Sequence, residues 1–378
     1  MVDSRNWFKT LPETRRRKLL ASQRDGLWLD LDGARLLNFA SNDYLGLSTH
    51  PEVRAATIQT IQEQGLGSGA SRLVSGDDPI LHQLESELAA WKGFEACLLV
   101  GSGMLANIGL LQTLADRFTP IFSDKLNHAS LVDGARLSGA KVLRYPHLDV
   151  DTLEQLLEKH PADKRIIVSD GVFSMDGDVA DVQRLYQLAT SYDALLVIDD
   201  AHGTGTVGEE GKGLVAQAKL NGNARIIEVG TLGKSFGSYG AYILGANEMI
   251  EALRQRMRTL IYSTALPVSV FSGARQSLAI IQQGDLVKKL HENISFFLEH
   301  ASTLNLLPSD TAIQPVMMYS DAQALSASAA LREQGFFVPA IRPPTVPEGE
   351  ARLRITLSAL HSKEDILKLI QALHNIGS

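Results

Sequence analysis

The sequence predicts an α/β protein whose larger domain is built on a mainly parallel, seven-stranded sheet. Three observations support this fold class: short apolar runs recur along the middle of the chain, longer amphipathic segments separate them, and polar residues follow where the runs end. Several runs lack polar alternation, which is typical of strands covered on both faces. Strands that alternate with helices imply parallel pairing through helical crossovers.

Seven apolar runs are predicted to be buried strands of one large domain, residues 46–280. The strands are expected at 96–100, 120–122, 142–145, 165–168, 194–198, 225–229 and 241–244. Amphipathic segments between them predict helices, for example at 151–159 and 181–192. Ligands of open parallel sheets bind at the carboxyl ends of the strands, so the polar residues after these runs are the candidates for chemistry.

The two ends of the chain differ in character from the middle. The first 45 residues look like a helix and a short extended segment, and we expect them to pack against the C-terminal unit. A smaller α+β domain at residues 281–378 is predicted from an extended segment, a proline-rich stretch, an alternating strand and a final helix, at 335–340, 342–347, 352–357 and 363–376.

Composition and charge exclude several classes of protein. The chain of 378 residues is 44% hydrophobic and 21% charged, as in soluble globular proteins. Its net charge of −7 argues against a nucleic-acid partner, since such binding relies on clustered positive charge. No apolar run approaches the roughly 20 residues of a membrane helix. The N-terminus lacks the apolar centre of a signal peptide. With a single cysteine, Cys97, in an apolar run, we expect a cytoplasmic protein without disulfides.

Two glycine motifs point to nucleotides, and both are weak. Residues 203–208 match G-x-G-x-x-G after a strand, but Asp199, Asp200 and His202 intervene where the true fingerprint turns at once into a helix. A flexible loop is the better interpretation. Gly233-Lys-Ser resembles the end of a phosphate-binding Walker loop, but Glu228 stands where that motif requires glycine. Nucleotide hydrolysis is therefore rejected.

Lys234 lies in a glycine-rich turn after an apolar strand. A lone lysine in such a place is usually a solvated surface charge. Glycines allow a bulky ligand to approach the backbone closely, and an amine held against a flat aromatic aldehyde is the arrangement that a covalent cofactor requires.

Asp199 and His202 follow another apolar strand. A buried carboxylate at Asp199 needs a cation or hydrogen-bond donors, and the protonated ring nitrogen of pyridoxal phosphate (PLP) is such a cation. Asp199 could equally cap a helix, and His202 could be an ordinary loop histidine.

Together, Asp199-x-x-His202 and Lys234 reproduce the order and spacing of the fold-type I PLP enzymes. Within that group, the chain resembles the α-oxoamine synthase family over most of its length. The motifs that carry the resemblance are NFASNDYLGL at 38–47, GSGASRLVSG at 67–76, GVFSMDG at 171–177, DDAHGTG at 199–205, TLGKSFG at 231–237, YSTALP at 262–267, and IRPPTVP and ARLRITL at 341–347 and 351–357.

The resemblance implies roles for five residues around a PLP ring. Lys234 would hold the cofactor covalently and move protons at the substrate's Cα. Asp199 would pair with the ring nitrogen, whereas His202 and Ser174 would contact the phenolic oxygen. His128 would stack on the ring face, and no metal is expected. Lys234, His128, Asp199 and His202 are thus the implied catalytic residues.

Further residues are implied to bind the cofactor phosphate and the substrates. Backbone N–H groups of Gly103 and Met104, at the start of a helix, would hold the phosphate together with the hydroxyl of Thr231. Thr264 would contribute from the neighbouring subunit of a homodimer with shared active sites. The amino-acid carboxylate and the acyl substrate would meet three residues: Arg354, Asn42 and one arginine of the run 15–17, assigned to Arg16. A solvated strand position remains the alternative for Arg354.

The resemblance implies a decarboxylating condensation of an amino acid with an acyl thioester. The motifs at 341–347 and 351–357 are most similar to members that join L-alanine to a pimeloyl thioester carried by coenzyme A or an acyl-carrier protein. The alternatives are a 2-amino-3-ketobutyrate ligase, a 5-aminolevulinate synthase, a serine palmitoyltransferase or an autoinducer synthase. A non-catalytic dimer partner is disfavoured, because Lys234, Asp199 and His202 are all present.

Overall fold

The computed structural model describes residue 7, residues 10–16 and residues 18–377, and the predicted α/β architecture is confirmed. Its strands are β1 Ser22–Asp25, β2 Trp28–Leu31, β3 Ala34–Asn38, β4 Ala96–Val100, β5 Ile121–Asp124, β6 Val142–Tyr145, β7 Ile166–Asp170, β8 Leu195–Asp199, β9 Ile226–Thr231, β10 Ala241–Gly245, β11 Ile313–Tyr319, β12 Phe336–Phe337, β13 Ala340–Ile341 and β14 Ala351–Thr356. Its α-helices are α1 Pro51–Gln64, α2 Pro79–Lys92, α3 Gly103–Leu114, α4 Ala129–Leu137, α5 Val150–Lys159, α6 Val182–Ser191, α7 Gly213–Gln217, α8 Asn247–Arg256, α9 Arg258–Ile261, α10 Val268–Ile281, α11 Asp285–His300, α12 Asp321–Glu333 and α13 Lys363–Gly377.

The seven predicted strands form one sheet in the order β4-β10-β9-β8-β7-β5-β6. Pairing is parallel from β6 to β9, and β10 runs antiparallel to both of its neighbours. Every residue of β5, β7 and β10 is buried, because helices cover both faces of the sheet. The carboxyl ends of β5, β7, β8 and β9 therefore meet at one edge.

Side-chain caps start the two crossover helices that the sequence predicts. Asp149 accepts a hydrogen bond from the backbone N–H of Thr152 at 2.9 Å, at the beginning of α5. Asp181 does the same for Arg184 at 3.0 Å, at the beginning of α6. Each carboxylate satisfies a donor that the first helical turn leaves free.

The N-terminal segment differs from the expectation of a helix and one extended segment. It forms three antiparallel strands, β1–β3, and its described residues are helical solely in a 3-10 turn at Glu13–Arg15. Alternating burial along β2 buries Leu29 and Leu31. Gly26 and Asp32-Gly33, all at positive φ, close the two hairpin turns. β3 then pairs with β12 near the C-terminus, so the two ends of the chain share a sheet.

A third sheet, in the order β11-β14-β13, packs with α12. All six residues of β14 are buried, including the charged Arg352 and Arg354. β14 therefore delivers two arginines to the interior next to the large sheet. No helix within residues 10–16 and 18–377 is long and apolar enough to cross a membrane.

Candidate active site

A cavity of about 200 Å³ opens at the carboxyl edge of the large sheet. The predicted cofactor residues line it, with the exception of Thr264. Its walls are Gly103, Met104, His128, Ser130, Asp170, Val172, Ser174, Asp199, Ala201, His202, Thr231 and Lys234. Five different strands contribute residues at or just after their carboxyl ends, which is the arrangement expected of an open parallel sheet.

Lys234 reaches the cavity from the turn after β9. Hydrogen bonds fix that turn: the Lys234 carbonyl accepts from the N–H of Gly237 at 2.8 Å, and the Thr231 hydroxyl accepts from the N–H of Gly233 at 3.1 Å. Burial lowers the pKa of Lys234 to about 8, against the opposing effect of Asp199. A lysine with such a pKa is partly uncharged near neutral pH, so its amine can act as a nucleophile or a base.

Asp199 ends β8 and is almost fully buried. Its Oδ2 accepts a hydrogen bond from Nδ2 of Asn107 at 2.6 Å, and its Oδ1 accepts from the N–H of Ala201 at 3.0 Å. The second bond closes a turn within the loop and does not cap a helix. Asn107 also donates to Ser130 at 2.8 Å, so α3 and α4 together set the direction of the carboxylate.

His202 faces the cavity from the loop after Asp199. Its Nδ1 lies 2.7 Å from the hydroxyl of Tyr44, and the rings of His202 and Tyr44 meet edge to face. Burial holds the pKa of His202 well below its usual value, and the charge of Lys234 acts in the same direction. The ring is therefore neutral, and its second nitrogen can offer one hydrogen bond toward the cavity.

Arg354 is buried beside the cavity, so the solvated-strand alternative is wrong. Its Nε donates to the carbonyl of Ser174 at 2.5 Å. Its two terminal nitrogens lie 3.3 and 3.4 Å from Oδ1 of Asn42, the other residue expected near the substrate carboxylate. A guanidinium held in this way can present donors to a planar carboxylate.

The helix α3 starts at the cavity with Gly103 and Met104. Ser102 caps this helix by accepting from the N–H of Leu105 at 3.2 Å. The first N–H groups of a helix have no partner within it and favour an anion. A Cβ added at Gly103 would meet no atom within 4 Å, so there is space for a ligand at this end.

Comparison with known proteins shows the family to which the chain belongs. A model of the aminotransferase class I and II family matches residues 34–373. The chain belongs to this family. It is 48% identical to an 8-amino-7-oxononanoate synthase of Hydrogenovibrio crunogenus over 95% of this chain and 91% of that protein.

Solved structures of PLP-dependent and related enzymes share most of the architecture of the chain. A serine palmitoyltransferase of S. paucimobilis with a bound PLP-myriocin aldimine matches with a TM-score of 0.91 and 26% identity, over 95% of this chain and 92% of that one. An 8-amino-7-oxononanoate synthase of Francisella tularensis matches with a TM-score of 0.78 and 29% identity, over 90% and 96%. Fold-type I architecture is thereby confirmed, and the nucleotide-binding alternative is not supported.

Several polar residues of this family member, Ser130 among them, reach the site without having been assigned a role from sequence. Asn107 orients Asp199, and Tyr44 contacts His202. Asp170 ends β7 in the cavity wall, where its Oδ2 accepts from the N–H of His128 at 2.8 Å. Burial raises the pKa of Asp170 well above its usual value. Asn107 had a signal, since it interrupts the apolar first half of its helix; Tyr44 lay inside the motif at 38–47, and Asp170 directly precedes the motif at 171–177.

Two predicted residues lie away from the cavity within this single chain. Thr264 is exposed and lines a separate space of about 130 Å³ together with Gly101. Arg16 is exposed, and its Nε donates to the carbonyl of Leu11 at 3.2 Å. Its neighbour Arg15 forms ion pairs with acidic side chains, and Arg17 lies outside the described residues. The assignments of Thr264 and Arg16 stay predictions.

Proposed function

We propose that the chain condenses L-alanine with a pimeloyl thioester, releasing carbon dioxide and the thiol carrier and forming 8-amino-7-oxononanoate for biotin synthesis. The relatives at 44–48% identity that carry this name support the reaction. The observation that carries the proposal is one cavity whose wall holds Lys234, Asp199 and His202, with Arg354 beside it.

The polar groups that line the cavity fit PLP. Lys234 offers an amine to its aldehyde carbon, Asp199 offers a carboxylate to its ring nitrogen, and the open start of α3 at Gly103 offers N–H groups to its phosphate. His202 and Ser174 also line the cavity and would contact its phenolic oxygen. Bound there, PLP supplies an electron sink for the charge that develops at the alanine Cα.

Each residue then has one task on the substrate. Arg354 binds the carboxylate of alanine, and Asn42 holds the guanidinium from behind. Lys234 removes the Cα proton, because its amine is partly uncharged near neutral pH. After the Cα has attacked the thioester carbonyl, the thiol leaves and the carboxylate departs as carbon dioxide. Lys234 then returns a proton to Cα, and His128 covers the cavity from its exposed position.

A sister reaction with another amino acid or acyl thioester is the competing proposal. Purified chain loaded with PLP should be assayed with alanine, glycine and serine against pimeloyl-CoA, pimeloyl-acyl-carrier protein, acetyl-CoA and palmitoyl-CoA. We expect carbon dioxide and 8-amino-7-oxononanoate from alanine with a pimeloyl thioester. Faster turnover of serine with palmitoyl-CoA, or of glycine with acetyl-CoA, would assign the chain to another branch.

We further propose a cytoplasmic homodimer with shared active sites. Segments 70–76 and 262–265 touch through a backbone hydrogen bond of 2.9 Å from Ala265 to Ala70, and they expose Leu73, Val74 and Tyr262. Exposed apolar groups next to each other indicate a protein contact. Thr264 lies within the second segment and would reach the cofactor phosphate of the other subunit. The single cysteine, buried Cys97, fits a reducing compartment.

Mixed dimers test the sharing of sites. Lys234→Ala inactivates the site of its own chain, whereas Thr264→Ala weakens the site of the partner. In a mixed dimer both changes fall on one site and leave the other intact. Co-refolded mixtures should therefore exceed the summed activity of the two parents. Mixed dimers that form but gain no activity would place Thr264 away from the partner's cofactor.

A further inference from the structure

His147 lies outside the cavity, between two carboxylates on different elements. Its Nδ1 donates to Oδ1 of Asp124 at 3.0 Å, and its Nε2 donates to Oδ2 of Asp178 at 2.7 Å. Both ring nitrogens can donate at once solely in the protonated ring. Burial opposes that charge, but the hydrogen bonds to Asp124 and Asp178 outweigh it and raise the pKa of His147 to about 10. The ring is therefore a cation at neutral pH.

Asp124 connects His147 to the turn that carries His128. This carboxylate ends β5 and is almost fully buried. Its Oδ1 also accepts from the N–H of Leu126 at 2.8 Å, and its Oδ2 accepts from the N–H of Leu148 at 2.8 Å. The first bond shapes the turn that delivers His128 to the cavity, and the second ties this turn to the segment of His147.

Asp178 connects His147 to the loop that carries Ser174. The backbone closes this loop twice, from the N–H of Phe173 to the carbonyl of Asp178 at 3.0 Å and from the N–H of Gly177 to the carbonyl of Phe173 at 2.8 Å. The His147 ring meets the Phe173 ring edge to face at 4.4 Å. His147 thus contacts the loop on both sides of Ser174, the residue whose carbonyl accepts from Arg354.

We propose that His147 is a positioning residue, which bridges Asp124 and Asp178 and so holds the His128 turn and the Ser174 loop at the separation that substrate binding requires. The inference rests on the proposed function, because it assigns the carboxylate of alanine to Arg354. Without the cation, two carboxylates would face each other across a small gap and push the loops apart. The cation Arg352 pairs with Asp176 on the same loop, so it does not take the place of His147 between Asp124 and Asp178.

The test uses the full chain loaded with PLP and the variant His147→Gln, which keeps a polar side chain but removes the charge. Alanine affinity is read from the absorbance of the bound cofactor, and kcat and KM are measured separately. We expect alanine binding to weaken roughly tenfold or more, since displacements of about 1 Å at such sites reduce rates up to about a hundredfold. Cofactor content should stay at the wild-type level. The matched control is His160→Gln, at a half-exposed histidine directly after α5.

A second variant keeps the test decisive if His147→Gln does not fold. Asp178→Asn leaves the bond between His147 and Asp124 and loosens the Ser174 loop alone, so it should weaken alanine binding in the same direction. In an Arg354→Ala background, His147→Gln should have little further effect on alanine affinity, because both changes act on one contact. Full additivity in that background would overturn the proposed route through Ser174.

Unchanged alanine affinity in both single variants, with merely a lower melting temperature, would overturn the proposal and leave His147 a structural residue. If the proposed function itself is wrong, the experiment gives a different result. In that case the wild-type chain itself would show no absorbance change with alanine and no carbon dioxide release.

Discussion

Two histidines near the cavity show how the partner of a buried ring decides its charge. His202 meets the neutral hydroxyl of Tyr44, and burial holds its pKa well below the usual value. His147 meets two carboxylates, and its pKa rises to about 10. Both rings are partly withdrawn from water, and the carboxylate partners of His147 compensate for the lost hydration of its charge. The histidine that faces the cavity is therefore neutral, while a charged histidine holds the cavity walls from behind.

The groups that face the cavity and the groups behind its wall also have different tasks. Lys234 and His202 must exchange protons or hydrogen bonds with a ligand, so a neutral form that is available near pH 7 suits them. His147 and its carboxylates have no ligand to meet, and an ion pair there fixes geometry. The predictions below test this separation, from the largest expected effect to the smallest.

Lys234→Ala should remove the reactive amine from the cavity altogether. We expect activity to fall by at least roughly 10²–10⁴-fold, the range for loss of a general acid–base group. Borohydride treatment of the wild-type chain should attach PLP to the peptide that contains Lys234. Lys125→Ala, an exposed lysine that also follows a strand, should keep full activity. A label on any other lysine would remove the basis for the site.

Asp199→Asn should keep the shape of the cavity and remove its anion. The variant should bind PLP but exchange the Cα proton of alanine slowly, since the ring nitrogen loses its charged partner. We expect a decrease of roughly 10²–10³-fold, as for other preorganised electrostatic contacts. Deuterium exchange followed by NMR measures it. The exposed Asp193→Asn is the control, and exchange at the wild-type rate in Asp199→Asn would reduce Asp199 to a packing role.

Arg354→Ala should weaken alanine binding and leave the cofactor in place. A hydrogen bond to a charged group contributes about 1.5–3 kcal/mol, which corresponds to roughly ten- to a hundredfold in affinity. Titration of the cofactor absorbance with alanine gives the value. Arg184→Ala, which removes an exposed ion pair with Asp151, should change nothing. Wild-type affinity in Arg354→Ala would mean that another residue binds the carboxylate.

The smallest expected effect is the way in which protonation of His147 and His202 makes the stability of the fold depend on pH. Because its pKa in the folded chain lies above the ordinary 6.5, His147 stabilises the fold fully below about pH 6.5, and that contribution is lost as the pH rises through about 10. His202 behaves oppositely: its lowered pKa makes acid unfavourable to the fold. NMR titration of the ring signals should show His147 protonated and His202 neutral at pH 7. If His147 titrates near pH 6.5, the conclusion that its carboxylate partners keep it charged is wrong.

Much of the site could be predicted from the sequence, because its residues follow apolar strands. The strand ending at Asp199 and the turn of Lys234 are each marked by a local change from apolar to polar residues, and parallel pairing brings such ends together. His147 could not be found in this way. It lies between elements, and its importance depends on Asp124 and Asp178, which are 23 and 31 positions away.

Much of the fold could also be predicted from the sequence, because local apolar runs mark its strands. All seven strands of the large sheet are marked by apolar runs. The N-terminal strands are short and half exposed, and their pairing with β12 depends on a partner about 300 residues later, so no local pattern indicates it. Likewise, the burial of Arg354 depends on Asn42 and Ser174 and not on the alternation within its own strand.

The joining of the two chain ends has a consequence during synthesis. Leu37 pairs with Phe336, and Asn42 meets Arg354 across 312 positions, so neither contact can form before the ribosome has made almost the whole chain. At about 5–20 residues per second, the N-terminal strands wait roughly 15–60 seconds for their partner, with their edge open to other chains. A nascent chain is thus able to build the large sheet and the Lys234 turn well before it can recognise an amino acid.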